Sequence, residues 1–259
     1  MLMVISPAKT LDYETPPATQ TYTQPAHLSQ SKRLIRYLKK LDAPAVASLM
    51  SLSDKLASQN VARYGQWKPP FTPENAKQAL LAFAGDVYDG LAAQDFSEDD
   101  FAFAQSRLRI LSGLYGTLRP LDLMQPYRLE MGTRLPTKRG ANLYDFWGPR
   151  ITRALKAVLA ELDTRVLVNL ASEEYFGAVQ TRGLKARLVT PVFEDWSTGT
   201  GKYMIVSFHA KKARGMMARH AIRGRVTEVE ELKRFDSAGY AFNSSASSAD
   251  RWVFRRKAT

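Results

Sequence analysis

Residues 107–132, RLRILSGLYGTLRPLDLMQPYRLEMG, constrain this chain most, because four arginines and three glycines share one turn-rich stretch. Leu108 and Leu111 are three apart, which predicts a short helix flanked by Arg107 and Arg109. Gly113 is placed to close that helix through the left-handed conformation glycine adopts readily. Gly113-Leu114-Tyr115-Gly116 then reads as a tight turn, and its missing side chains would let another backbone come close. Thr117, Arg119, Pro120 and Asp122 suit a second helix start or a further turn. Two short helices joined by a glycine turn can offer backbone N–H groups to a phosphate, with cations beside them. The same residues also fit a buried connector with solvated arginines.

Charge narrows the function classes. The 259 residues hold 37 Lys and Arg against 25 Asp and Glu, a net charge of +12. A basic chain of this kind is suited to polyanions. The opening run MLMVISPA is broken at Lys9, and no other apolar run is long enough to span a bilayer. That opening also lacks a basic region and a long apolar segment, so no signal peptide is expected and the cytoplasm is the expected location. The absence of cysteine excludes disulfides, thiolate zinc sites and cysteine nucleophiles. With 45% apolar residues, no linker and no internal repeat, the chain reads as one domain over residues 1–259.

Along the chain, MLMVI is a buried strand with Ser6-Pro7-Ala8-Lys9 at its end. Residues 12–26 lack periodicity and read as a surface arm. Helices are predicted from Ser29 to Leu41, after a restart at Pro44, and from a Ser53 cap towards Arg63. Thr72-Pro73-Glu74 predicts a helix carrying Ala76, Ala79, Leu80 and Phe83, and Ser97 caps another with three acids in its first turn. Tyr144–Leu162 is predicted as one amphipathic helix. RVLVNL (165–170), 187–193 and 202–208 read as strands, the last two joined by the hairpin Ser197–Gly201. A short strand pair is expected near 240–242 and 252–254, with a flexible serine-rich loop at 243–249 between them. The expected fold is α/β mixed (α+β), a single compact domain with a mixed sheet and surrounding helices.

Most of the excess charge lies late. Residues 202–225 hold seven Lys and Arg and no acid. A helix over His209–Ile222 puts Ala210, Ala213, Met217 and Ala221 on one face and Lys211, Lys212, Arg219 and Arg223 on another. A surface face normally intersperses acids, so their absence favours phosphate-backbone contact over a merely solvated face. Its alanine-rich apolar face is too small for a membrane anchor.

Chemistry has fewer anchors. His27, His209 and His220 share no metal-ligand spacing, and there is no HExxH, Walker A or dinucleotide-binding glycine motif. Lys9, Arg128, Glu130, Asn169, Ser172 and Glu174 sit at strand ends or turns, where α/β proteins hold ligands, and could also be structural ion pairs.

The segments ISPAKTLDY, FSEDDF, ILSGLYGTLRPLDLMQPYRLEMG, NLASEEYF and SFHAKKARGMM, in that order between Met1 and about Phe254, resemble the YaaA family of bacterial peroxide-stress proteins. The resemblance implies a cytoplasmic protein of the hydrogen peroxide response that limits damage from unincorporated iron. It also implies DNA binding, a positively charged cleft and a helix-hairpin-helix motif, for which 111–116 is the best match although two residues separate Gly113 and Gly116. It supplies no catalytic residue. The expected partner is therefore DNA, whether duplex, bubble or junction, held without base readout by Lys9, Arg107, Arg109, Gly113, Leu114, Tyr115, Gly116, Arg119, Arg128, Lys211, Lys212, Arg214, Arg219 and Arg223. Tyr115 and Tyr127 could stack on unpaired bases or pack the core. No cofactor, stable metal or membrane partner is expected. The alternative is an enzyme acting on a nucleotide or base around Lys9, Arg128 and Glu174.

Overall fold

The apolar run at the start of the chain becomes the middle of the sheet. The computed structural model describes residues 1–257. Its main sheet is built from β1 (Leu2–Ile5), β2 (Leu108–Ser112), β3 (Gly116–Leu118), β4 (Val166–Leu170), β5 (Arg187–Ser197), β6 (Lys202–Met204), β7 (Ala241–Phe242) and β8 (Arg251–Arg256). The order across it is β7-β8-β5-β4-β1-β2-β3, with β6 paired to β5. The inner pairs β1–β2, β1–β4, β4–β5 and β5–β8 are parallel; β2–β3, β5–β6 and β7–β8 are antiparallel. Every residue of β1 is buried, as a strand covered on both faces requires. The Met1 amine donates to Thr227 O at 2.8 Å, tying this strand to the chain that follows the long basic helix.

Among the described residues nine helices cover the faces: α1 (Leu28–Leu38), α2 (Ala43–Met50), α3 (Asp54–Gln66), α4 (Asp86–Leu91), α5 (Glu98–Arg107), α6 (Leu143–Trp147), α7 (Arg150–Glu161), α8 (Glu173–Phe176) and α9 (Ser207–Arg223). A single turn, Ala79–Ala82, adds to them. Local chemistry explains several boundaries. Ser97 Oγ accepts Asp100 N–H while the Asp100 carboxylate accepts Ser97 N–H, so α5 opens on a capping box. Asp42 caps α2 by accepting from Ala45 N–H at 2.9 Å. Helices α2 and α3 form a hairpin through Ser51, whose φ of 52° turns the chain back.

The alanine stripe of the basic helix packs inward: Ala210, Ala213, Met217 and Ala221 are all buried. Glycine sets how closely α9 meets α4. A Cβ on Gly215 would lie 1.8 Å from Val87 O, and one on Gly90 would lie 2.0 Å from Lys212 O.

Four sequence expectations are corrected. The helix expected from Arg107 is strand β2, all five residues buried, because it pairs with β1 on one side and β3 on the other. Burial on both faces removes the alternation that marks a strand, and a leucine pair three apart then mimics a helix. The helix expected from Thr72 is a two-residue strand, Lys77–Gln78, followed by the single turn at Ala79–Ala82. The helix expected over Tyr144–Leu162 is divided into α6 and α7, with Gly148 at φ 49° closing the first. The serine-rich loop is held in a 3-10 turn, where Asn243 Oδ1 accepts from Ala246 N–H at 2.9 Å and Ser247 Oγ accepts from Val253 N–H at 2.8 Å.

Candidate functional site

The central glycine turn is a β-hairpin in the core. Gly113, Leu114, Tyr115 and Gly116 are buried, and Gly116 has a φ of 71°. Ser112 Oγ accepts Tyr115 N–H at 3.0 Å, and Gly113 O accepts Trp147 Nε1–H at 2.9 Å. A Cβ on Gly113 would meet Leu129 O at 2.2 Å, so the close approach expected here is made by the protein's own backbone. This corrects the helix-hairpin-helix at 111–116: strands flank the turn, and no phosphate can reach its N–H groups. Tyr115 and Tyr127 pack edge to face, 5.2 Å apart, and Tyr127 shares a 2.6 Å hydrogen bond with Ser112. Both rings are core.

The arginines of this stretch are internal ties. Arg109 is buried, its Nη1 donating to Gln105 O and Leu108 O, and burial lowers its pKa to about 10. Arg107 donates to Met1 O and lies 5.5 Å over the Phe103 ring. Arg119 pairs with buried Asp122 at 2.9 Å.

Lys9, Arg128 and Glu130 form one ion cluster, while Ser172 and Glu174 are each tied to other partners. Strand β1 has β2 on one side and β4 on the other, so its carboxyl end opens on a topological switch point. Ser6 Oγ accepts Ser172 N–H at 2.8 Å across it. Glu130 binds Lys9 at 2.9 Å and Arg128 at 3.0 Å, and Glu174 accepts Gly132 N–H at 2.9 Å. Asn169 is turned back on its own chain, accepting Ala171 N–H. The space enclosed by Pro7–Lys9, Tyr127–Glu130 and Tyr175 is about 10 Å³, room for about one water. These charges answer one another, and a substrate would have to open them.

The basic helix α9 is answered too. Arg219 grips Asp95 through two bonds, of 2.6 and 2.8 Å, and lies 5.5 Å over Phe96. The Arg219 bond, then the charges of Arg219 and Arg223, hold the Asp95 carboxyl below its usual range. Arg223 reaches Asp95 and Asp100, both at 3.4 Å, and Lys211 lies 3.9 Å from Asp86. Arg214 is partly buried with Glu173 as the carboxylate acting on it, and burial lowers its pKa. Exposed Lys212 has no carboxylate within 4.0 Å among the described residues. The acids missing from the helix's own sequence arrive from α4, α5 and the turn between them.

An unanswered basic surface lies elsewhere. Residues 15–41 and 131–144 contain no Asp or Glu, and the fold sets part of one against part of the other. Arg33 and Arg36 on α1, with Lys40 just past its end, face Lys138 and Arg139 across a groove of about 350 Å³. Among the described residues, none of these five has a carboxylate within 4.0 Å. Lys138 N–H donates to Tyr37 OH at 3.0 Å, fastening the loop to the helix. By contrast, a cavity of about 530 Å³ between the 13–20 arm and residues 66–78 carries Glu14 and Glu74 beside Arg63 and Lys68. The sequence signal for the basic groove was two acid-free runs about a hundred residues apart, each ordinary alone.

Comparison with known proteins adds one decisive observation. The family described as "Peroxide stress protein YaaA" matches residues 1–246. The chain belongs to the YaaA family. Relatives include UPF0246 proteins of Azoarcus sp. (strain BH72), 60% identical over 99% of both chains, and of Ralstonia pickettii (strain 12J), 58% identical over 100% of both. A third, from Colwellia psychrerythraea, is 57% identical over 99% of each. The family match thus covers every strand of the sheet except β8, and the basic groove lies within it. No helix is long and apolar enough to cross a membrane, and no three His, Asp or Glu side chains gather among the described residues.

Proposed function

We propose that this protein binds DNA through its phosphate backbone as part of the response to hydrogen peroxide in the cytoplasm, limiting oxidative and iron-dependent damage to the DNA. The stress role follows the family description. The observation that carries DNA binding is the uncompensated charge of α1 and the 137–139 loop: Arg33, Arg36, Lys40 and Lys138 face solvent with no carboxylate at hand. Exposed cations left unpaired on a fixed surface are what a regular row of phosphates needs, and they carry no base readout.

The test is anisotropy of a labelled duplex titrated with salt. Binding should weaken steeply as salt rises, and R33E/R36E/K40E should remove it. Salt-insensitive binding, or binding untouched by the reversal, sinks the reading.

A second reading is an enzyme acting on a nucleotide or base around Lys9, Arg128 and Glu174, favoured by the Lys9–Glu130–Arg128 cluster and the Ser6–Ser172 contact beside the switch point. Nucleoside binding that Lys9→Ala abolishes and the α1 reversal leaves intact would select it.

A further inference from the structure

We propose that the groove between α1 and the Thr137–Arg139 loop seats a terminal phosphate, the monoester at a DNA strand end or on a free nucleotide. The proposal rests on the DNA reading for one source of that phosphate, and it adds a preference that the reading alone does not contain.

Shape comes first. The groove is concave, with a volume of about 350 Å³, near the lower end of small-ligand sites at roughly 300 Å³. Five cations line it: Arg33, Arg36, Lys40, Lys138 and Arg139. An internal phosphodiester carries one charge and lies along a convex backbone. A terminal phosphate carries roughly two charges and three acceptor oxygens, and it projects from the end of its chain. Convergent cations in a hollow match the second better than the first.

Preorganisation comes next. The Arg139 guanidinium lies 4.9 Å over the Phe146 ring. Its Nη1 donates to Gln30 Oε1 at 2.9 Å and to Phe146 O at 3.4 Å. Among the described residues Nε and Nη2 donate to no acceptor, so one edge of the fork is held and the other is free. A planar fork with a free edge is suited to two phosphate oxygens at once. The loop that carries it is also fixed, with Arg139 N–H on Thr137 Oγ1 at 3.1 Å, Thr137 N–H on Gly140 O at 2.9 Å, and Lys138 N–H on Tyr37 OH. At Arg139 little ordering is left for a ligand to impose.

Like charges supply the drive. Burial, then the charges of Arg150 and Arg33, lower the Arg139 pKa, and no carboxylate opposes them. An anion in the groove relieves repulsion that only the weaker influence of Tyr37 opposes.

The experiment compares duplexes of one sequence whose ends carry phosphate or hydroxyl, with a hairpin-capped duplex that has no ends. Competition with 2′-deoxyadenosine 5′-monophosphate and with deoxyadenosine is run alongside. Phosphate ends should bind about tenfold tighter than hydroxyl ends, the size of one charge-assisted contact. In Arg139→Gln, and separately in Arg36→Gln on the exposed face of α1, that ratio should fall towards one, whatever happens to absolute affinity. A ratio of one in the wild-type protein with capped and open duplexes bound alike overturns the terminal-phosphate seat and leaves backbone binding standing. Loss of all DNA binding, with the monophosphate still displacing a phosphate probe and deoxyadenosine inert, overturns the DNA reading and supports the seat with a free nucleotide as its occupant. Absence of both overturns both.

Discussion

Two helices of this protein are rich in cations, and only one of them is basic as a surface. Helix α9 has the stronger sequence signature, with Lys211, Lys212, Arg214, Arg219 and Arg223 and no acid of its own. In the fold, Asp86, Asp95 and Asp100 meet it from α4, α5 and the turn between them. Helix α1 carries Lys32, Arg33 and Arg36, with Lys39 and Lys40 in the turn that follows, and what folds against it is another basic segment, Lys138 and Arg139. A charge count along one helix reports what that helix contributes. The field a ligand meets is set by what packs beside it.

The comparison breaks most readily at the level of binding. Reversing Arg33, Arg36 and Lys40 to glutamate should lower duplex affinity on the order of 100-fold or more. The salt slope should shrink by about three, one per cation. Reversing exposed Lys211 and Lys212 should change affinity far less, and equal losses from the two sets would erase the distinction between the helices.

Stability gives the reciprocal contrast. Gly215→Ala puts a methyl group against the backbone of α4, so it should cost about 1–3 kcal/mol in chemical denaturation, as overpacked contacts do. A neutral result would mean that α9 is not clamped as closely as its glycines indicate. Arg219→Ala removes a bidentate tie to Asp95 and bonds to Leu91 O and Ala92 O; it should cost about 1 kcal/mol, with duplex binding retained. Loss of binding without loss of stability would return α9 to the interface.

The smallest effect is on pH. Burial lowers the pKa of His27, at the start of α1, and of His220, on α9. A histidine whose folded pKa lies below its unfolded value of about 6.5 binds fewer protons when folded. Stability is therefore full above that value and declines as pH falls towards the folded pKa. His27→Gln should flatten α1's share of that decline, read from denaturation midpoints between pH 7 and about 5. Asp95 behaves differently: its depressed pKa adds stability above about 3.9, lost only as pH falls through the lower folded value.

How much of this was legible depends on where the deciding partner lies. The buried strand at Leu2–Ile5, the capping serine at Ser97 and the alanine stripe of α9 were readable, because each is a local pattern with a local cause. Leu108–Ser112 was not, since a strand covered on both faces loses its alternation and Arg109 disguises it further by bonding its own neighbourhood. The Lys9–Glu130–Arg128 cluster was readable as strand-end chemistry, and the ion pairing that closes it was not. The basic groove needed two distant segments to meet. Neither carries a motif, and only the missing acids in 15–41 and 131–144 marked them.

The first strand in the sequence has the most distant neighbours. Met3 pairs with Leu108 on one side and Val168 on the other, both more than a hundred residues downstream. No local hairpin can shelter it meanwhile. Such long-range pairing is slow, and the apolar segment MLMVI stays sticky until the chain through β4 is present. A ribosome that stalls before that point would release an aggregation-prone fragment whose central strand still has an open edge.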